Sequence, residues 1–142
     1  MTIDGRELGR IERGFVVLVG VGGRDHAKDA QTLADKIVEL RVFDDERGKM
    51  NRSLRDIGGA VLAVPQFTLY ADARHGRRPD FTAAAAPADA QRLYEAFVGF
   101  LRGREVDVVS GRFGARMLVS LENDGPVTIT LTTDGWREAE LG

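Results

Sequence analysis

Cysteine is absent from the 142 residues, which excludes disulfides, zinc–thiolate and iron–sulfur sites, and a cysteine nucleophile. The chain has two histidines, His26 and His75, which leaves little for a metal centre. No run approaches the ~18–20 uninterrupted apolar residues of a membrane span. The opening Met1-Thr2-Ile3-Asp4-Gly5-Arg6 lacks a basic-then-apolar export signal. Neither sign of charge dominates: 20 Lys and Arg against 22 Asp and Glu give a formal net charge of −2, unlike a general nucleic-acid coat protein. What is present is 43% hydrophobic and 30% charged residues, the balance of a soluble globular chain of single-domain length. Seventeen glycines, in excess of the usual ~7%, imply many turns. No low-complexity run, internal repeat or break in composition divides the chain.

The apolar, β-branched run Gly14 to Val21 predicts a strand buried on both faces. Asp25 to Leu40 has helical spacing, with Ala30, Leu33, Ala34, Ile37 and Val38 on one side and Asp25 as the expected N-cap. Arg41 to Phe43 reads as a short strand, Asp44-Asp45-Glu46 as a solvated turn, and Lys49 to Ile57 as irregular. Ala60 to Val64 predicts the second strong strand, whose regular pairing should stop or loosen at Pro65. Continued period-two geometry would put Gln66, Thr68 and Tyr70 on one face and Phe67 and Leu69 on the other. Pro87 to Arg102 predicts a second helix with Pro87 in its first turn. Glu105–Ser110, Arg116–Glu122 and Val127–Thr132 complete a tally of about six strands and two helices. The expected fold is therefore a single α/β or α+β domain with a mixed, barrel-like sheet, ending at residue 132. The tail from Thr133 to Gly142 is expected to be loosely held.

Gly20-Val21-Gly22-Gly23 follows a strand and precedes a helix, but a dinucleotide fingerprint would need glycine where Asp25 stands. A tight strand-to-helix turn is the better reading. No serine sits in a nucleophile elbow, so a Ser-His-Asp hydrolase has no support. Arg74, Arg77 and Arg78, with Arg112 and Arg116, are the densest basic groups, and beside Gln66 and Thr68 they could grip phosphate. Asn123-Asp124-Gly125-Pro126 reads as a hairpin turn.

Taken together, Pro65-Gln66-Phe67-Thr68-Leu69, Gly76-Arg77-Arg78-Pro79-Asp80-Phe81 and Asn123-Asp124-Gly125-Pro126-Val127-Thr128 resemble the D-aminoacyl-tRNA deacylases. Phe43 to Asn51 and Gly111-Arg112-Phe113 fit the same family in order, so the resemblance spans nearly all of residues 5 to 131. It implies a cytoplasmic, cofactor-free and metal-free homodimer that hydrolyses the ester of D-aminoacyl-tRNA, or of glycyl-tRNA, while sparing the L form. The catalytic segment would be Gln66, Phe67 and Thr68, with main-chain amides and the phenylalanine on the aminoacyl adenosine. Gly125 and Pro126, a cis pair in the family, would enter the partner's pocket and set chirality. Arg77, Arg78 and Arg112 would be structural or tRNA contacts. Nothing in the sequence could activate Thr68 as a nucleophile, which favours a reaction assisted by the 2′-hydroxyl of the tRNA itself, with Thr68 in binding.

The chain departs from the family pattern in two places. Pro65 stands where the family motif usually opens with serine, removing a hydroxyl and a main-chain N–H from the site. An additional strand that normally precedes the part matching Thr2 to Gly5 is not in this sequence, which is expected from a start assigned too far downstream or from true truncation. Both departures motivate an alternative expectation, a family member that binds aminoacyl-tRNA or a nucleotide without turnover.

Overall fold

The computed structural model describes residues 1–135. It opens with a two-stranded antiparallel hairpin, β1 (Thr2–Ile3) and β2 (Arg6–Glu7), followed by β3 (Gly14–Val19) and helix α1 (Ala27–Glu39). A small antiparallel pair comes next, β4 (Phe43–Asp44) with β5 (Met50–Arg52), so part of the segment expected to be irregular is a strand. Then come β6 (Ala60–Pro65), α2 (Pro87–Gly103) and β7 (Val108–Ser110). The main sheet has three strands in the order β3-β6-β7, all parallel, with β6 in the middle. Parallel neighbours need long crossovers, and α1 and α2 lie within those two crossovers.

The central strand explains the layers. Val61 and Ala63 point to the side where α1 and α2 pack, joining Ala34, Val38, Tyr94, Phe97 and Leu101 in the main core. Leu62 and Val64 point the other way, onto Met1, Leu8, Ile11, Met117 and Val119. Alternate side chains of a strand face opposite sides, so one buried strand serves two cores. Both helices were legible from their apolar stripes. The N-cap of α1 differs from expectation: it is His26, whose N–H donates to the Asp29 carboxylate at 2.8 Å, while Asp25 caps the preceding turn.

Three strand expectations are corrected. β3 is an edge strand, half-buried rather than buried on both faces, and Leu18 is 47% exposed. Glu105 takes a positive φ of 61°, so the third strand of the sheet starts only at Val108. Arg116–Glu122 and Val127–Thr132 form no strands: the former has one isolated bridge, Thr2 to Leu118, and residues 121–130 are all exposed. A strand exists only where a neighbour completes its ladder, and the single chain supplies none there. Of the tail, Thr133 is buried, and residues 136–142 lie outside the described residues.

Candidate active site

All three parallel strands run toward one end of the molecule, and the motif residues gather there. β3 ends at Val19 and leads into the loop Gly20–His26; β6 ends at Pro65 and leads into residues 66–81; β7 ends at Ser110 and leads into residues 111–116. Loops at the carboxyl ends of parallel strands are the usual place for a ligand site in open α/β sheets.

Pro65 is paired with Val19 at the end of β6, and Gln66 N–H still reaches the Val19 carbonyl at 2.8 Å. On the β7 side the last ladder bond runs from Gly111 N–H to the Ala63 carbonyl, 2.7 Å. Proline has no N–H with which to extend the ladder. The chain then closes into a 3-10 turn, Phe67–Tyr70, with Leu69 N–H to the Gln66 carbonyl and Ala71 N–H to that of Thr68. The expected two-face alternation is therefore wrong: Phe67 and Leu69 are 57% and 54% exposed, and Thr68 is exposed beside them. The Gln66 side-chain amide donates to the Thr68 hydroxyl oxygen. That amide orients the threonine and cannot accept its proton, and among the described residues no other side chain hydrogen-bonds the Thr68 hydroxyl. The Phe67 ring packs T-shaped against Phe81 with centroids 5.0 Å apart, and more than half of the residue stays exposed.

Four residues hold this turn in place and were not singled out from the sequence as site residues. A Cβ on Gly22 would lie 2.7 Å from the Tyr70 hydroxyl, and one on Gly20 would lie 3.1–3.3 Å from Leu69, Tyr70 and the Gln66 carbonyl. Only bare backbone lets the strand-to-helix turn approach so closely. Asp25 accepts the Gly22 N–H at 2.7 Å and faces the Tyr70 hydroxyl at 3.5 Å. Burial, followed by the Asp25 charge, pushes the Tyr70 phenol up to about 12, so it remains a neutral hydroxyl. The glycine-rich turn after the first strong strand was the available signal.

Arg77 and Arg78 are exposed on a short hairpin closed by reciprocal N–H to carbonyl bonds between Asp72 and Asp80, 2.7 and 2.8 Å. The hairpin carboxylates are occupied: Asp72 by Arg74, and Asp80 by the Thr82 hydroxyl and amide. These bonds hold both carboxyl groups below the usual range. Arg112, also exposed, follows Gly111, where a Cβ would meet the Pro65 ring at 2.9 Å.

Gly125 and Pro126 sit apart from this cluster. Their peptide bond is cis, Gly125 has φ +140°, and the Asn123 side chain staples the loop by accepting from Val127 N–H at 2.8 Å and donating to the Thr128 hydroxyl at 2.9 Å. Among the described residues, no hydrogen bond or ring contact joins this loop to Gln66–Thr68 of the same chain. Nor do three His, Asp or Glu side chains converge as a metal-ligand set among those residues. A concavity of about 680 Å³ lies at the opposite end of the sheet and is lined by Arg10, Ala60, Arg102, Glu105 and Asp107, among others. It contains none of the motif residues.

A family model described as D-Tyr-tRNA(Tyr) deacylase matches residues 1–132, the stretch that holds every one of these loops. The chain belongs to that family. A D-aminoacyl-tRNA deacylase of Thermus aquaticus is 60% identical over 131 residues, covering 92% of this chain and 86% of the relative. One of Heliobacterium modesticaldum is 53% identical over 135 residues, covering 95% and 90%. Among solved structures, one described as c-Myc DNA Unwinding Element Binding Protein superposes with a TM-score of 0.83 at 39% identity, covering 90% of this chain and 87% of its own. A probable eukaryotic D-amino acid tRNA deacylase, 22% identical with a TM-score of 0.63 over 75% and 77%, shares the fold. The deacylase fold in this chain thus carries the Gln66–Leu69 turn at the carboxyl end of its parallel sheet.

Proposed function

We propose that this protein hydrolyses the ester of D-aminoacyl-tRNA, releasing the D-amino acid and intact tRNA. The observation that carries the reading is the deacylase family match over residues 1–132, with relatives at 53–60% identity that bear that activity as their name. Water oxygen bonds to the acyl carbon, the bond from that carbon to the ribose 3′ oxygen breaks, and the 3′ oxygen takes up the proton. Gln66 and Thr68 position the ester, and the Phe67 ring receives the adenine. With no base on Thr68, the neighbouring ribose 2′-hydroxyl assists the attack. An activated ester needs little beyond orientation and a hydrogen-bonded oxyanion.

The working unit in this reading is a cytoplasmic homodimer. Leu118, Leu121, Val127 and Ile129 are 38–68% exposed on one stretch of chain, and apolar side chains gathered in solvent in this way mark an interaction surface. A second copy would cover them and receive the loop bearing Gly125 and Pro126 over its own Gln66–Thr68 turn. Rigid backbone at that point would exclude an L side chain and admit D-amino acids and glycine. No helix among the described residues is long and apolar enough to cross a membrane.

The deciding experiment follows ester loss from D-tyrosyl-tRNA and L-tyrosyl-tRNA in parallel. Loss of the D form alone is expected. Loss of both would remove the chiral filter, and loss of neither would overturn the enzymatic reading.

A further inference from the structure

The loops at the carboxyl end of the sheet are electrically unlike the rest of the molecule. Residues 20–26, 66–81 and 111–116 hold six arginines against three aspartates, in a chain whose formal net charge is −2. The three aspartates are already engaged: Asp25 with Gly22 N–H, Asp72 with Arg74, Asp80 with Thr82. Arginines elsewhere are commonly paired, with Arg10, Arg52, Arg55, Arg92 and Arg104 each within 4 Å of a carboxylate. Arg24, Arg77, Arg78 and Arg112 are exposed and have no carboxylate partner among the described residues, and each of the three loops carries at least one of them. The hairpin that presents Arg77 and Arg78 is anchored next to the site, because Phe81 at its return packs on Phe67.

An exposed aromatic ring flanked by unpaired guanidinium groups is the usual equipment for a single-stranded nucleic acid, the ring for a base and the cations for phosphates. We infer that Arg24, Arg77, Arg78 and Arg112 form a phosphate grip for the unpaired 3′ strand of tRNA, immediately upstream of the nucleotide whose base meets Phe67. This rests on the deacylase reading and adds to it how the enzyme selects a polynucleotide ester over a free one. Phosphate neutralisation releases counterions, so the grip makes binding salt-dependent.

The test compares the parent protein with a quadruple Arg→Ala variant, a quadruple Arg→Lys variant, and Arg47→Ala, an exposed arginine on the β4–β5 turn, as control. Binding of uncharged tRNA is measured against salt, and hydrolysis is measured on D-tyrosyl-tRNA and on the phosphate-free ester of D-tyrosine with adenosine. The quadruple alanine variant is expected to flatten the slope of log affinity against log salt by roughly 2–3, at ~0.7 per single-strand phosphate. It is also expected to lose at least about tenfold more kcat/KM on the tRNA ester than on the adenosine ester. The lysine variant should keep most of the slope, because it keeps the charge, and the Arg47 control should keep all of it. An unchanged slope, or equal losses on both esters, would overturn the grip. A parent protein that cleaves neither ester would overturn the deacylase reading instead, while the slopes on uncharged tRNA would still decide the role of the arginines.

Discussion

At the scale of single residues, the proposed function gives Thr68 a binding role and not that of a nucleophile. Thr68 is held by an amide that has no use for its proton. Thr68→Ala is therefore expected to cost about 1 kcal/mol of positioning, the worth of one hydrogen bond, or up to about tenfold in kcat/KM. A drop on the order of a thousandfold in single-turnover kcat would make the hydroxyl the nucleophile after all. The tyrosines give a second prediction. The chain has two, and burial is the main cause raising both phenols, Tyr70 to about 12. A raised folded value favours the neutral form, so its stabilising contribution is full below the unfolded value near ~10 and is lost as pH rises through about 12. Tyrosinate absorbance of the native protein should stay flat through the pH where a free phenol ionises. Tyr70→Phe should remove the step near 12, whereas a native step near ~10 would show that the phenol is not shielded.

Among elements, the decisive relation is between the Gly20–His26 turn and the 3-10 turn that follows β6. They touch through Gly22 and Tyr70, with no room for a side chain between them. Gly22→Ala is expected to push the Tyr70 ring away and cost about 1–3 kcal/mol of overpacking, read as a lower denaturation midpoint at unchanged m-value. Because Tyr70 closes the turn that bears Thr68, kcat/KM should fall further than stability alone would require. A variant that loses stability but retains full activity when folded would uncouple the two turns.

For the whole molecule, the proposed function makes the exposed loop at Gly125 part of a site shared between two copies. Gly125→Val would place a Cβ about 2.8 Å from the Val127 side chain at a φ that side chains rarely adopt, deforming the loop tip. Gln66→Ala combined with Phe67→Ala would disable the turn. If loop and turn act across a twofold interface, mixing these two inactive proteins lets half of the dimers pair one intact loop with one intact turn. Activity should then return to roughly a quarter of the parent level. No recovery on mixing, in dimers shown by sedimentation to exchange, would place both parts of the site in one chain.

Much of this organisation is written locally. Each helix completes its hydrogen bonds within itself, so the stripes at Ala34, Ile37 and Val38 and at Leu93, Phe97 and Leu101 sufficed to place α1 and α2. The apolar run at Ala60 to Val64 placed the central strand, and the ordered motifs placed the chain in its family. Strands and caps depend on partners remote in sequence, and there the local pattern was not enough. Whether Gly14–Val19 lies at an edge, whether Arg116–Thr132 finds a ladder, and whether Asp25 caps a helix or a turn were decided by which neighbours the fold supplied. Alternation after Pro65 suggested a strand, but a ladder without a further N–H donor could not continue, and the chain folded back on itself instead. That reversal brings Phe67, Thr68 and Leu69 out into solvent together at the end of the sheet, because the exposure of a side chain is set by what packs against it, and the sequence pattern records only what could.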